Sequence, residues 1–401
     1  MIRDISPQQN NDSIKHILKE IPSLLEKTFP VPQRFRSKLP HDIADLSRLL
    51  TNQRGQRSLS YLTRPNYLSA YLHYFLPWNI CRLCLLLPDF NLRLDAGGVI
   101  TDLGSGPLTF ACALWISRPD LRNVPIEINC IDRSASALEA GKKFFKALCG
   151  ENLKWKINLI KKEIDFRKSN SVSISGNNKT GKKPSLVCAV NIFNEIYEKI
   201  PRSNIDALRL TAANAAVLLS NAVSDDPDAA IFIVEPGVPQ SGKFISILRD
   251  ELIKSGREPV SPCTHTASCP CLSHEKWCHF AYNAENAPKE LLRLSAAAKL
   301  PKARLVLSYL LTGPKGACHL QSEQRLHMKA KKGDFHTLRV ISDAFPLGAD
   351  YGRYGCCEKG LVLLKGRKNI IEKTVSGSLV DVNINLKERD EKSGAYIGEI
   401  K

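Results

Sequence analysis

Two groups of residues in this chain have types and spacings that do chemistry. The first is Asp102-Leu103-Gly104-Ser105-Gly106-Pro107, where an apolar run ends at an acid and two glycines. Such a turn lets a ligand approach the backbone, and it opens a helix whose first N–H groups lack partners. Asp132 ends the next apolar run, and an acid there accepts both hydroxyls of a ribose. Asn191, Asn194 and Glu195 follow a later apolar run and bring polar groups to the same edge. Leu108 stands where a third glycine would serve a pyrophosphate. A phosphate-free adenosine ligand, S-adenosylmethionine, therefore suits the loop better than a dinucleotide. The expected cofactor-binding residues are Asp102, Gly104, Ser105, Gly106, Pro107, Asp132, Asn191 and Asn194.

The second group is Cys263-Thr-His-Thr-Ala-Ser-Cys269-Pro-Cys271 followed by Trp277-Cys278-His279-Phe280, with His265 and His274 among them. Cys356-Cys357 stand near the C-terminus, between Gly355 and Gly360. Thiols at this density point to a metal, as zinc or as an iron–sulfur cluster. The spacing lacks the two C-x-x-C pairs of a zinc ribbon, and a distant fourth ligand suits either metal. Cys81 and Cys84 do have C-x-x-C spacing, but they lie in an apolar run that reads as a buried helix. Cys112, Cys130, Cys149 and Cys188 also read as small core residues.

Alternating strands and helices must hold these groups. Strands are expected at 99–103, 126–131, 156–164, 186–193 and 229–234, with helices at 134–148, 205–223 and 244–253 between and after them. That order predicts a parallel doubly wound α/β sheet. Further strands are expected at 304–311, 338–341 and 361–365. The division expected is a helical N-terminal domain (1–92), a Rossmann-like nucleotide-binding domain (93–257) and a Cys/His-rich metal-binding segment (258–285). Strands completing the sheet and closing the metal site (286–368) and a charged tail (369–401) follow. The segment 168–184 reads as a flexible basic insertion.

A chain of 401 residues with 43% hydrophobic content has room for such cores, and its net charge of +17 favours a polyanionic partner. Its most apolar stretch is broken by His73, Pro77, Asn79 and Arg82, so no membrane span is expected. The N-terminus lacks a signal-peptide core. A cytoplasmic monomer with reduced cysteines is expected.

These motifs together resemble one family, the methyltransferase-like small-ribosomal-subunit assembly proteins. The resemblance runs through Leu39-Pro40, Tyr61-Leu62, Tyr67, Tyr71, the glycine turn, Asn194-Glu195 and Glu235-Pro236-Gly237. It continues through Pro262-Cys263-Thr264-His265, Cys269-Pro270, Trp277-Cys278-His279-Phe280 and Ser308-Tyr309. It implies a seven-strand methyltransferase fold with a helical N-terminal domain and a Cys-rich metal-binding insertion. It implies a 4Fe-4S cluster, with zinc as the alternative, on Cys263, Cys269, Cys278 and Cys356, or Cys357 in place of the last. Cys271 would be a bystander or spare ligand. The implied partner is small-subunit ribosomal RNA in an assembling particle. No catalytic residue is assigned, because Asn191, Asn194 and Glu195 do not form the N-P-P-Y motif of amino methyltransferases. An rRNA methyltransferase and a non-catalytic rRNA-binding assembly factor are both open readings.

Overall fold

The structure, a computed structural model, describes residues 2–3, 12–51, 61–90, 92–150, 153–166, 182–274, 276–317 and 335–400. The expected basic insertion, over its residues 168–181, and the lysines at 329–332 lie outside the described residues.

After a two-residue strand β1 (Ile2–Arg3), the chain builds α1 (Asp12–Thr28), α2 (Gln33–Arg36), α3 (Leu39–Thr51) and α4 (Pro65–Ala70). A π-helical turn, Tyr71–Phe75, runs into α5 (Leu76–Leu83). Ile14, Leu18, Ile21 and Leu25 recur every three or four residues along α1, so one face is apolar and buried. That face joins a core containing Trp78, Phe110 and Ile128. The helical segment thus shares its core with the sheet that follows.

That sheet contains β2 (Gly98–Leu103), β3 (Ile126–Asp132), β4 (Lys156–Lys161), β5 (Leu186–Val190), β6 (Ala230–Pro236), β7 (Arg257–Ser261), β8 (Phe280–Asn283) and β9 (Arg304–Pro314). Its order is β4-β3-β2-β5-β6-β9-β7. The strands β2 to β6 pair in parallel, and β9 is antiparallel to both neighbours. This is the seven-strand methyltransferase order that the sequence leads one to expect. β2 and β5 are buried along their whole length, as strands covered on both faces must be. The covering helices are α6 (Thr109–Ser117), α7 (Ala135–Cys149), the short α8 (Asn194–Tyr197), α9 (Ile205–Ala222) and α10 (Pro239–Lys254), while α11 (Lys289–Ala297) precedes β9. Cys81, Cys84, Cys112, Cys130 and Cys188 are buried core thiols. β4 and β5 end earlier than expected, at Lys161 and Val190, where the chain turns into the site.

One edge of β9 serves two partners. β7 pairs with it near Leu311–Pro314 and β8 with Arg304–Leu307. The cysteine-rich segment connects β7 to β8 and so lies where they meet.

The C-terminal part departs from expectation. Only β9 completes the first sheet. The strands expected at 338–341 and 361–365 belong to a second sheet made of β1, β10 (Phe335–Val340), β11 (Phe345–Leu347), β12 (Asp350–Cys357), β13 (Gly360–Gly366), β14 (Leu379–Arg389) and β15 (Tyr396–Ile400). β15 pairs with both β13 and β14, so β14-β10-β12-β13-β15 closes into a five-stranded barrel. Leu338, Val340, Cys357, Val362, Leu364, Val380, Val382 and Ile384 fill its interior. The segment expected as a charged tail therefore supplies two barrel strands, because Leu379 to Ile384 places apolar side chains on alternate positions facing inward. Among the described residues, no helix is long and apolar enough to cross a membrane.

Candidate functional site

The carboxyl ends of β2, β3, β5 and β6 open into a cavity of about 650 Å³. Such crevices are where open α/β sheets bind ligands. Gly104 has φ +70°, and a Cβ there would stand 2.6 Å from Ile192 Cδ1, so any other residue would be strained and would displace Ile192. Leu108, at the position of the missing third glycine, is also left-handed, with φ 58° and ψ 38°. The turn still demands that conformation, and a fully buried Leu side chain offsets the strain.

The acids have separate tasks. Asp132 lines the cavity. Its Oδ2 accepts the Gly106 N–H at 2.9 Å and its Oδ1 accepts the Ser134 N–H at 2.8 Å. It therefore holds the glycine loop while its side chain lines the cavity. Burial raises its pKa, against the lowering effect of these N–H donors. Asp102 does not line the cavity. It is 1% exposed beneath the loop, its Oδ1 accepts the Cys188 thiol at 3.3 Å, and burial pushes its pKa up to about 7.

Of the other expected cofactor residues, Gly104, Gly106, Asn191 and Asn194 line the cavity. Ser105 and Pro107 are buried in the loop and brace it, with Ser105 Oγ donating to the Asp102 carbonyl at 2.8 Å. Asn191 has φ 56°, a left-handed conformation that Asn tolerates. The turn after β5 is anchored by Glu235, which is fully buried and accepts the N–H groups of Phe193 at 2.8 Å and Asn194 at 3.1 Å. Arg133 and Glu195 form an ion pair of 2.8 Å on the cavity wall. Asp165 and Phe166, after β4, and Tyr71, Phe75, Trp78, Arg82 and Lys302 also line it. Sequence reasoning missed these residues. Their only local signal was the aromatic run from Tyr67 to Trp78, which is equally a core pattern.

The cysteines converge elsewhere. Cys263, Cys269, Cys271, Cys278 and Cys356 line one cavity of about 30 Å³ together with Arg249 and Arg339. Successive residues of a strand point to opposite faces, so Cys356 faces this cavity while Cys357 lies in the barrel core. Both arginines are 2% exposed. Arg249 Nε donates to Cys263 Sγ at 3.2 Å, and another of its nitrogens pairs with Asp250. Arg339 donates to the carbonyls of Pro262 at 2.8 Å and Gly377 at 2.6 Å, and no carboxylate pairs with it among the described residues. Burial raises the thiols of Cys263, Cys278 and Cys356, whereas a hydrogen bond from Cys271 lowers Cys269. His265 Nε2 is 3.3 Å from Cys356 Sγ, while His279 stacks on Trp277. Among the described residues, no three His, Cys, Asp or Glu side chains stand as a ready-made metal site.

The two cavities flank one helix. Val238, just before α10, lines the large one, and Ser246 and Arg249 on the same helix line the small one. Trp277 Nε1 donates to the Gly237 carbonyl at 3.2 Å, tying the cysteine segment to the end of β6.

The family described as mitochondrial small ribosomal subunit Rsm22 matches residues 96–312, more than half of the chain. No curated protein matches the sequence. Among solved structures, magnesium protoporphyrin IX methyltransferase from Synechocystis PCC 6803 with bound S-adenosylmethionine is 10% identical, covering 68% of this chain and 97% of that one at a TM-score of 0.33. A methyltransferase from Geobacter sulfurreducens in complex with S-adenosyl-L-homocysteine is 13% identical, covering 60% and 91% at a TM-score of 0.31. The fold rests on the strand order β4-β3-β2-β5-β6-β9-β7.

Proposed function

The chain belongs to the mitochondrial small ribosomal subunit Rsm22 family, and from that premise we propose that it binds S-adenosylmethionine and acts on or binds small-subunit ribosomal RNA. The observation that carries this reading is the cavity at the carboxyl edge of the sheet, with Gly104, Gly106 and Asp132 on its wall. Asp132 receives the ribose hydroxyls. Gly104 and Gly106 let the ligand lie against the backbone, and Asn191 and Asn194 bound its far end. Asp102, Ser105 and Pro107 act beneath the loop. Methyl transfer from a sulfonium needs mostly positioning, which a walled cavity supplies. The net charge of +17 suits an RNA partner, and binding that falls steeply with salt is expected. The expected setting is the cytoplasm.

Deletion of the gene tests the enzymatic role. A ribosomal RNA methyl group lost on deletion, restored by wild type and not by Asp132→Ala, supports a methyltransferase. Unchanged methylation with immature small subunits contradicts it and leaves the assembly-factor reading.

The cysteine cavity is the proposed seat of a 4Fe-4S cluster on Cys263, Cys269, Cys278 and Cys356. What supports this reading is that the four thiols line one cavity, and that two buried guanidiniums line it with them and would offset the negative charge of thiolates. Bound there, the cluster would cross-link the β7–β8 segment to the barrel. Zinc is the second reading, since four thiolates also form a tetrahedral zinc site. Anaerobically purified protein that is brown and contains iron supports the cluster; colourless protein containing zinc overturns it.

A further inference from the structure

The large cavity continues beyond the edge of β5. Lys302 precedes β9, which lies two strands beyond β5, or roughly 10 Å at ordinary strand spacing. Leu307 of β9 pairs with Pro236 at the end of β6, so Lys302 projects past the carboxyl edge, on the ligand side. Facing it across the cavity is α5, with Trp78, Asn79 and Arg82. Lys302 Nζ sits 5.7 Å from the Trp78 ring and 5.9 Å from the Tyr74 ring. Arg82 Nη1 donates to Asn79 Oδ1 at 2.6 Å, while its buried Nε has no partner. Among the described residues, neither cation pairs with a carboxylate. Asp132, Glu163, Asp165 and Glu195 line other parts of the cavity and pair with neither, so an anion entering beside the two cations would be stabilised by both. Burial and the neighbouring Arg82 pull Lys302 down to about 8, as expected where positive charges are held together.

Beside them, the π-helical turn brings Tyr71 and Phe75 to the cavity wall, stacked at 5.6 Å between centroids and only partly buried. π-turns inside helices are frequent at functional sites.

We propose that Arg82 and Lys302 form an oxyanion subsite at the acceptor end of the cavity, holding the phosphate of an RNA nucleotide whose base lies by Tyr71 and Phe75. The inference rests on reading the rest of the cavity as the methyl-donor site. A carboxylate shares this chemistry, so the other source is the donor's own methionine carboxylate. The distance from the β5 edge favours the acceptor phosphate.

The test compares uridine 5′-monophosphate with uridine by ligand-observed NMR, with and without saturating S-adenosylhomocysteine. Wild type should bind the monophosphate about tenfold tighter than the nucleoside, the worth of one charge-assisted contact pair. Substituting both cations, Arg82→Gln with Lys302→Gln, should abolish that preference and leave S-adenosylhomocysteine affinity within twofold. Lys302→Arg, which keeps the charge, should retain the preference. Equal binding of the two ligands to wild type overturns the subsite. So does a variant that loses S-adenosylhomocysteine and keeps the preference, because the cations then hold the donor. If wild type binds no S-adenosylhomocysteine, the donor reading fails, and the preference measured without it still decides the subsite. Should the double variant fail to fold, labelling of wild type at pH 8 with an amine-reactive reagent decides. Uridine 5′-monophosphate should protect Lys302 where uridine does not, and equal labelling overturns the proposal.

Discussion

The large cavity and the cysteine cavity hang on one helix, yet they are built on opposite principles. The first is about 650 Å³, walled by loops after parallel strands, and carboxylates, cations and aromatic rings line it together. The second is about 30 Å³, lined by α10, β9, the β7–β8 segment and the barrel residues Arg339 and Cys356, and its thiols share it with two guanidiniums. A site for exchangeable small molecules needs an open mouth, whereas a structural metal site needs closed coordination. In the proposed function, exchange belongs to the glycine-loop end and metal cross-linking to the cysteine end.

The sharpest way to break this contrast is at the adjacent cysteines. Cys356→Ala should abolish metal retention, while Cys357→Ala should keep metal and lose only barrel packing, both read by metal analysis of purified protein. Equal metal loss in the two would mean the strand does not separate their roles. Next in size is Asp132→Ala, which removes two hydrogen bonds to a charged group and should weaken S-adenosylmethionine about 100-fold by calorimetry. Its metal content should not change, since Asp132 does not touch the cysteine cavity.

Asp102 gives a pH signature. Its native pKa, about 7, lies above the roughly 3.9 of an unfolded Asp. The folded state then binds more protons between about pH 4 and 7, so this carboxyl stabilises the fold in acid and loses that contribution as pH rises through 7. Asp102→Asn should flatten the decline, roughly 2–4 kcal/mol in denaturant titrations across that window. A variant with the wild-type slope would show that another group carries it. The smallest net effect is expected from Leu108→Gly. Relief of left-handed strain, about 1–2 kcal/mol, opposes the loss of a buried side chain worth about 2–5 kcal/mol. A net loss of roughly 1–3 kcal/mol follows, and a stabilised variant would mean the strain dominates.

The parallel core was legible because strands buried on both faces are written as unbroken apolar runs, as in Leu186–Val190. The glycine loop was legible because Gly104 takes a left-handed turn against Ile192, where a side chain would be strained. The meeting of Cys263, Cys269, Cys278 and Cys356 followed the motif series, and strand alternation then separated Cys356 from Cys357. Asp102 misled because an acid at a strand end suggests a ligand, whereas here it points beneath the loop to Cys188. The barrel was hidden by Lys387 to Lys392, whose charges masked the alternation just before them in β14. Arg82 and Lys302 were invisible because only the tertiary fold brings such distant residues to one wall.

The central claim is that the open cavity is a working donor site. Calorimetric titration of S-adenosylmethionine into the purified chain tests it most directly. Saturable binding at one site per chain, weakened about 100-fold in Asp132→Ala and retained in Cys357→Ala, is the result expected. Absence of binding to folded wild type, or equal binding to Asp132→Ala, would contradict it.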